Sequence, residues 1–406
     1  MKPKYFYGYN IVAAGFLVQA VTVGAMFTYG VFFKEFEAAF GWSRALVSGA
    51  SSLAFLVMGV VGVAAGRLND TIGPRLLIAA SGAALGVGYL LMSVISAPWH
   101  LYLLYGGLVG IGFSTHDVIC LSTIARWFIR RRGMMTGMVK VGTGAGQFVV
   151  PLIAAALITA LGWRSAYLVI GGSSLVALLA VAQLMKRDPQ VLGLLPDGDR
   201  QEDPRRPHRP EVPSLTFAAA ARTLSFWTLC FAEFTIFFCL LTTIVHIVPH
   251  ASDQGLEKAV AAAVLSTIGA VSMAGRIVMG TANDRIGGKR SLVFCFILLI
   301  ASFLWLQAAD RAWMLFVFAV VYGFAHGGFF TVMSPTVAEL FGTQSHGLLF
   351  GIVFFTGTLG GSIGPFLTGA LFDATGSYHL AFGVLTALAA TGLALVLSMR
   401  PHRQAG

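Results

Sequence analysis

Residues Gly66–Arg75 read GRLNDTIGPR, a charged stretch between two long apolar runs, and a near copy, GTANDRIGGKR, begins at Gly280. A charged phrase written twice in an otherwise apolar chain marks an internal repeat, and composition tells what is being repeated. Of 406 residues 57% are hydrophobic and only 11% charged, with a mean hydropathy of +0.80, outside the range of a domain with a polar surface. The chain reads as a membrane protein. Its 48 glycines fit close helix packing, because small residues let backbones approach where no hydrophobic effect drives helices together.

Other classes fall away. Cys120, Cys230, Cys239 and Cys295 lie in apolar runs without a CxxC spacing and read as buried small hydrophobes. The basic start MKPKYFYGYN runs into an apolar segment that continues past Phe33 without a small-residue cleavage site, so it reads as a retained first helix. The net charge of +10 comes with no basic helix or aromatic platform for nucleic acid. No GxxxxGK[ST], HExxH or GxSxG motif occurs, which argues against an ATP-driven pump or an enzyme, and no cofactor or metal site is expected.

Cutting at charged and Pro/Gly clusters leaves twelve apolar runs, at about 8–33, 45–66, 76–97, 100–125, 133–160, 165–186, 224–249, 258–282, 290–309, 312–338, 346–371 and 377–399. Each is long enough to cross about 30 Å of hydrocarbon. The predicted fold is all-α: two pseudo-symmetric six-helix bundles, 1–186 and 224–406, joined by a polar linker, 187–223, that holds six of the 14 prolines. With both termini cytoplasmic, 20 of the 27 Lys and Arg residues fall in cytoplasmic segments, 5 outside and 2 within spans. The positive-inside rule favours that orientation.

Both copies of the repeat then fall in the cytoplasmic loop after the second helix of a half. Asp70 and Asp284 can each face the N-terminus of a neighbouring helix, with Arg75, Arg285, Lys289 and Arg290 supplying inside charge. The loops are either conformational gates, with Asp70, Arg75, Asp284 and Arg285 as working residues, or topological anchors.

Twelve spans, a central loop and the repeated loop resemble the major facilitator superfamily over essentially the whole chain. Three stretches resemble its monocarboxylate transporter branch: YGVFFKEFEAAFGWSRALVSGASSL from Tyr29, STIARWFIRRRGMMTGMVKVGTGAG from Ser122 and GTLGGSIGPFLTGALFDATGSY from Gly357. The branch neighbours the oxalate/formate exchangers.

A charge at the bilayer centre costs about 2.5 to 3.5 kcal/mol on insertion scales, so each one kept there needs a partner or a purpose. Asp117, Lys140, Glu233 and Arg276 qualify. Arg276 centres a stripe of Gly269, Ser272, Gly280 and Asn283 at helical steps of three and four, as on a face lining a cavity. Its planar fork suits a substrate carboxylate; the other reading is an ion pair with Glu233. The resemblance implies a substrate-binding Arg in helix 8, which Arg276 matches. It also implies an Asp four residues earlier and a Lys in helix 1, as in eukaryotic members, where this chain has Ser272 and Phe27. Two residues of the family's proton path are thus replaced here, while the anion-binding arginine is kept.

Asp117, beside His116, is then either a proton carrier or the partner of Lys140. Lys140 itself lies on a packing stripe with Gly137, Gly144, Gln147 and Pro151. Glu233 is a proton acceptor or the partner of Arg276, and His326 a relay or a core histidine. The substrate set is read as Arg276 with Ser272, Phe27, Thr115, His116, Phe330 and Phe355; proton coupling is assigned to Asp117, Glu233, Lys140 and His326. An apolar pocket beside Arg276 selects a short aliphatic carboxylate over a sugar.

The expected function is a bacterial-type inner-membrane symporter that moves a small monocarboxylate such as lactate or pyruvate with a proton. It is expected to work as a monomer in the lipid bilayer by alternating access, its halves rocking about a midplane site. Two alternatives remain: an oxalate/formate-type exchanger using Lys140 and Arg276 as two cations, and a non-transporting membrane sensor of carboxylates.

Overall fold

In the computed structural model, which describes residues 5–199 and 214–399, both copies of the repeated stretch fold alike. The helix Arg44–Ile72 stops at Gly73, and the helix ending at Ile286 stops at Gly287; the two glycines take φ of 85° and 84°. That left-handed region is open to glycine at little cost, so each copy turns the chain sharply from one helix into the next. After the first turn Pro74 stands at the opening position of the next helix, where its missing N–H costs nothing.

Among the described residues twelve helices are long and apolar enough to cross a membrane. They are α1 Gly8–Phe40, α2 Arg44–Ile72, α3 Pro74–Met92, α4 Pro98–Trp127, α5 Arg132–Leu161, α6 Trp163–Leu184, α7 Leu224–Asp253, α8 Ala259–Ile286, α9 Gly288–Gln307, α10 Ala312–Phe341, α11 His346–Thr375 and α12 His379–Ser398. The chain is an all-α membrane protein, as its sequence predicts. Several helices outrun the apolar stretches that identify them. The 33 residues of α1 extend about 50 Å at the α-helical rise, beyond the hydrocarbon thickness, and end at Gly41, whose N–H bonds to the Glu37 carbonyl.

One span departs from the continuous helix its sequence suggests. Within α4 the backbone is π-helical over Tyr102–Val109, and the α-helical pattern lapses at residues 114–117 before resuming at Val118. The stretch YGGLVGIGF that leads into the lapse carries four glycines, which weaken the helix there. Carbonyls released by a broken helix must find other donors, and here side chains supply them.

Contacts sort the described chain into two units, 5–130 with 138–199 and 345–351, and 131–137 with 214–344 and 352–399. In the first unit α3 packs on α6, and α1 packs on α6 and on the second half of α4. In the second, α10 lies between α8 and α9, and α12 packs on α9 and α7. The start of the expected linker is ordered against the first unit: Asp197 accepts from the backbone N–H groups of Ile129 and Arg130, both at 3.0 Å. Residues 200–213 of the expected linker 187–223 lie outside the described residues.

Candidate functional site

The lapse in α4 builds the polar centre of the first unit. The Phe113 carbonyl lies 2.7 Å from His116 Nδ1, and because a carbonyl only accepts, the ring donates from Nδ1. The His116 carbonyl accepts from Gln19 Nε2 of α1 at 3.0 Å. The same amide donates to Asp117 Oδ1 at 2.7 Å, while Gln19 Oε1 accepts from Thr143 at 2.8 Å. Lys140 Nζ of α5 donates to Asp117 Oδ1 at 2.7 Å, and His116 Nε2 stands 3.5 Å from Asp117 Oδ2. All these residues except Thr143 are buried. Of the two readings open for Asp117, the pair with Lys140 is therefore formed in this conformation. Its second oxygen still faces an imidazole.

The second unit carries the other centre. Gly327 of α10 sits against α8, where a Cβ in its place would run into the Ser272 carbonyl and lie 2.9 Å from the Arg276 nitrogen. That close approach pairs the two helices rung by rung. Ser272 Oγ meets His326 Nδ1 at 2.9 Å, and one turn further the Arg276 guanidinium lies over the Phe330 ring, 5.8 Å from its centroid. Arg276 is buried, at 3% exposure, so this cation is held largely out of solvent. Phe330 continues into an aromatic wall through Phe237, at 5.3 Å, and then Phe354. Glu233 is buried on α7 and packs against Gly357 of α11.

The remaining expected substrate contacts stand on α4, α1 and α11. Thr115 is buried and hydrogen-bonded to Ser81 of α3 at 2.6 Å. Phe27 is 39% exposed on α1, and Phe355 is half-buried on α11. Among the described residues no group of three or more His, Cys, Asp or Glu is placed to hold a metal ion, and all four cysteines are buried free thiols.

The repeated aspartates both cap helices. Asp70 accepts from the N–H groups of Gly347 and Leu348, at 2.9 and 3.0 Å, where α11 begins. Asp284 accepts from those of Gly133 and Met134, at 2.6 and 2.9 Å, where α5 begins. A carboxylate at a helix N-terminus satisfies donors that lack an intrahelical partner and meets the positive end of the helix dipole. Arg126 also pairs with Asp70. Arg75 reaches Gln183 of α6, and Arg285 is exposed.

Gln19, Thr143 and Arg126 were not picked out by the sequence reading. An amide alone in an apolar span is a signal for Gln19, since it must find partners in hydrocarbon. Nothing local marks Thr143.

Comparison with known proteins agrees with these observations. The family model described as the Major Facilitator Superfamily matches residues 15–306 and 247–406. Monocarboxylate transporter 13 of Rattus norvegicus is 29% identical over 406 residues, covering 98% of this chain and 89% of that protein. MFS-type transporter 1 of an Ophiocordyceps species is 27% identical over 354 residues, covering 86% of this chain and 75% of that protein. The structure of the human organic anion transporter MFSD10 superposes with a TM-score of 0.74 at 14% identity, covering 97% of this chain and all of that one, a likeness of fold. The two sequence relatives are animal and fungal, and they lend no support to the expected bacterial origin.

Proposed function

Since the chain belongs to the Major Facilitator Superfamily, we propose that it is a proton-coupled symporter of short monocarboxylates such as lactate or pyruvate, working by alternating access. It is an integral membrane transporter homologous to monocarboxylate transporters, and it is not an enzyme. The observation that carries the substrate reading is Arg276, a buried guanidinium set against an aromatic wall. Such a fork binds a carboxylate through two parallel hydrogen bonds, and the wall accommodates a short aliphatic tail.

His116 and Asp117 support the proton. With Nδ1 donating to the Phe113 carbonyl, a neutral ring presents Nε2 as an acceptor, and it faces Asp117 Oδ2, also an acceptor, at 3.5 Å. One added proton turns that contact between two acceptors into a hydrogen bond. Moving an anion alone against about 100 mV costs about 2.3 kcal/mol, so loading a proton with each carboxylate makes turnover electrically neutral. Glu233 is a second proton acceptor in this reading. Asp70 and Asp284 gate by holding helix starts in this reading, and Arg75 and Arg285 are assigned to the same two gating loops.

An exchanger of the oxalate/formate type needs a second cation facing the substrate. Lys140 is the candidate, and it already holds Asp117. The distribution of Lys and Arg supports cytoplasmic termini, and the cell's inner membrane as a monomer is the setting we assign. Uptake of labelled lactate and pyruvate into proteoliposomes, with and without an inside-alkaline gradient at zero voltage, tests the proposal. Accumulation should rise with the gradient; trans-stimulated uptake indifferent to it would favour exchange.

A further inference from the structure

We infer that the cavity where α7, α9, α11 and α12 meet, at the end of the second unit remote from Asp284, is a binding site for a small organic ammonium ion. The cavity measures about 380 Å³, within the range of a small-ligand pocket. With cytoplasmic termini, that end faces the outside. Arg276 lies more than halfway along α8 from it, about 25 Å away at the helical rise, so the inference does not rest on the reading of Arg276.

The cavity is lined by a run of aromatic rings. Phe372 near the end of α11, Tyr378 in the turn that follows and Phe382 one turn into α12 stack in succession, with centroids 4.4 and 5.6 Å apart and planes within 29° and 15°. Gly376, at a φ of 67°, makes the turn that brings α12 back beside α11. From α7 the His250 ring stands perpendicular to Tyr378 and Phe382, at 5.4 and 4.9 Å. Parallel rings and a perpendicular one form a corner, and the face of an aromatic ring attracts a cation through its quadrupole.

The surroundings are negative. Three helices end at this cavity, α7 at Asp253, α9 at Gln307 and α11 at Thr375, and each brings closing carbonyls and the negative end of its dipole. Only α12 starts here, and the N–H of His379, its first residue, is taken by Ser377 Oγ at 3.2 Å. Asp253 and Asp310 add carboxylates, Asp310 with Arg311 beside it at 3.9 Å, and among the described residues no Lys or Arg lines the cavity. Gln254 Nε2 donates to the Ala309 carbonyl at 2.6 Å and to His250 Nε2 at 3.2 Å, so that imidazole nitrogen accepts and the His250 ring is neutral. With its amide protons so used, Gln254 Oε1 is buried without a donor, an uncompensated acceptor in the wall. His246, behind Tyr378, donates from Nε2 to the Pro365 carbonyl at 3.0 Å and accepts the Tyr378 hydroxyl on Nδ1 at 3.2 Å. Burial pushes the Tyr378 hydroxyl up from its usual range, and the Asp253 and Asp373 carboxylates push it the same way. An ammonium ion thus meets carboxylates, carbonyl ends and ring faces in one place.

The test titrates choline and its uncharged carbon isostere dimethylbutanol against the full-length protein in maltoside micelles by ligand-observed NMR, at constant ionic strength and mildly alkaline pH, where exposed imidazoles are neutral. Choline should bind about tenfold more tightly than the isostere, the scale of a cation held by ring faces and a carboxylate. Asp253→Asn and Phe372→Leu should each erase most of that ratio by weakening choline and leaving the isostere almost unchanged. Tyr378→Phe keeps the ring and should preserve it. Equal binding of the two ligands overturns the inference, as does a wild type that does not bind choline. Choline binding left intact by both Asp253→Asn and Phe372→Leu overturns it too and places the ion elsewhere. Unfolding midpoints measured alongside separate a lost ring from a lost fold, and if Phe372→Leu does not fold, the Asp253→Asn ratio decides. The readout is binding of a cation and involves no transport, so its failure is distinct from failure of the symport reading.

Discussion

Lys140 Nζ lies 2.7 Å from Asp117 Oδ1, and both side chains are almost wholly buried, at 2% and 5% exposure. Removing one member of such a pair strands the other charge in a low-dielectric interior, which costs about 3–5 kcal/mol, whereas removing both often costs little. Asp117→Ala and Lys140→Ala should each lower the thermal stability of the purified protein strongly, and the double variant should recover most of the loss. A double variant as unstable as the worse single one would show that the pair is not a stability unit. Recovery of stability without recovery of uptake would separate the locking role from the proton role.

Gln19 bonds at once to a released backbone carbonyl, to Asp117 and to Thr143. Gln19→Leu keeps the bulk and strands these groups, so a loss of about 1–3 kcal/mol is expected. Gln19→Asn, one methylene shorter, should recover only part of it. Unfolding midpoints of the two variants measured side by side check this, and a neutral Gln19→Leu would mean the lapse in α4 is satisfied some other way.

For Arg276, lysine keeps the charge but loses the two-donor fork. Binding of lactate to Arg276→Lys should weaken about tenfold or more, and Arg276→Ala should lose binding almost entirely. If Arg276 is instead the partner of Glu233, Arg276→Ala alone should misfold and Arg276→Ala with Glu233→Ala should transport again. Restored uptake in that double variant would remove Arg276 as the anchor.

Asp70→Asn and Asp284→Asn each keep one acceptor while losing the second and the charge, an effect of about 0.3–2 kcal/mol at a helix N-terminus, and Asp70→Asn costs more because it also takes the carboxylate from the largely buried Arg126. Hydrogen exchange should quicken locally and separately: at Gly347 and Leu348 for Asp70→Asn, at Gly133 and Met134 for Asp284→Asn. Exchange unchanged at those amides would leave the repeated loops as topological anchors.

Gly327 has no room for a methyl against the Ser272 carbonyl. Gly327→Ala should push α10 from α8, costing about 1–3 kcal/mol as overpacking does, and weaken lactate binding along with stability. Gly269, whose added Cβ would meet nothing within 4 Å, is the control, and Gly269→Ala should be mild. Equal effects at the two positions would contradict the close approach as the cause.

The sequence by itself determined the number of spans, the repeat and the resemblance to a transporter family. The spans and the repeat are local properties: hydrocarbon accepts about 20 apolar residues in a row wherever they stand. It also picked out Arg276 and Asp117, since an ionisable group in an apolar run is conspicuous without any structure. Only the tertiary structure decided whom they meet. Asp117 is held by Lys140 and Gln19, 23 and 98 positions away, and Gln19 by Thr143, 124 positions away. Sequence left Asp117 open between carrier and partner because such pairings depend on which helix faces come together. The lapse in α4 follows the same logic. Its glycines were legible, yet a broken helix persists only where distant side chains satisfy the carbonyls it releases, and His116 and Gln19 were brought there by folding.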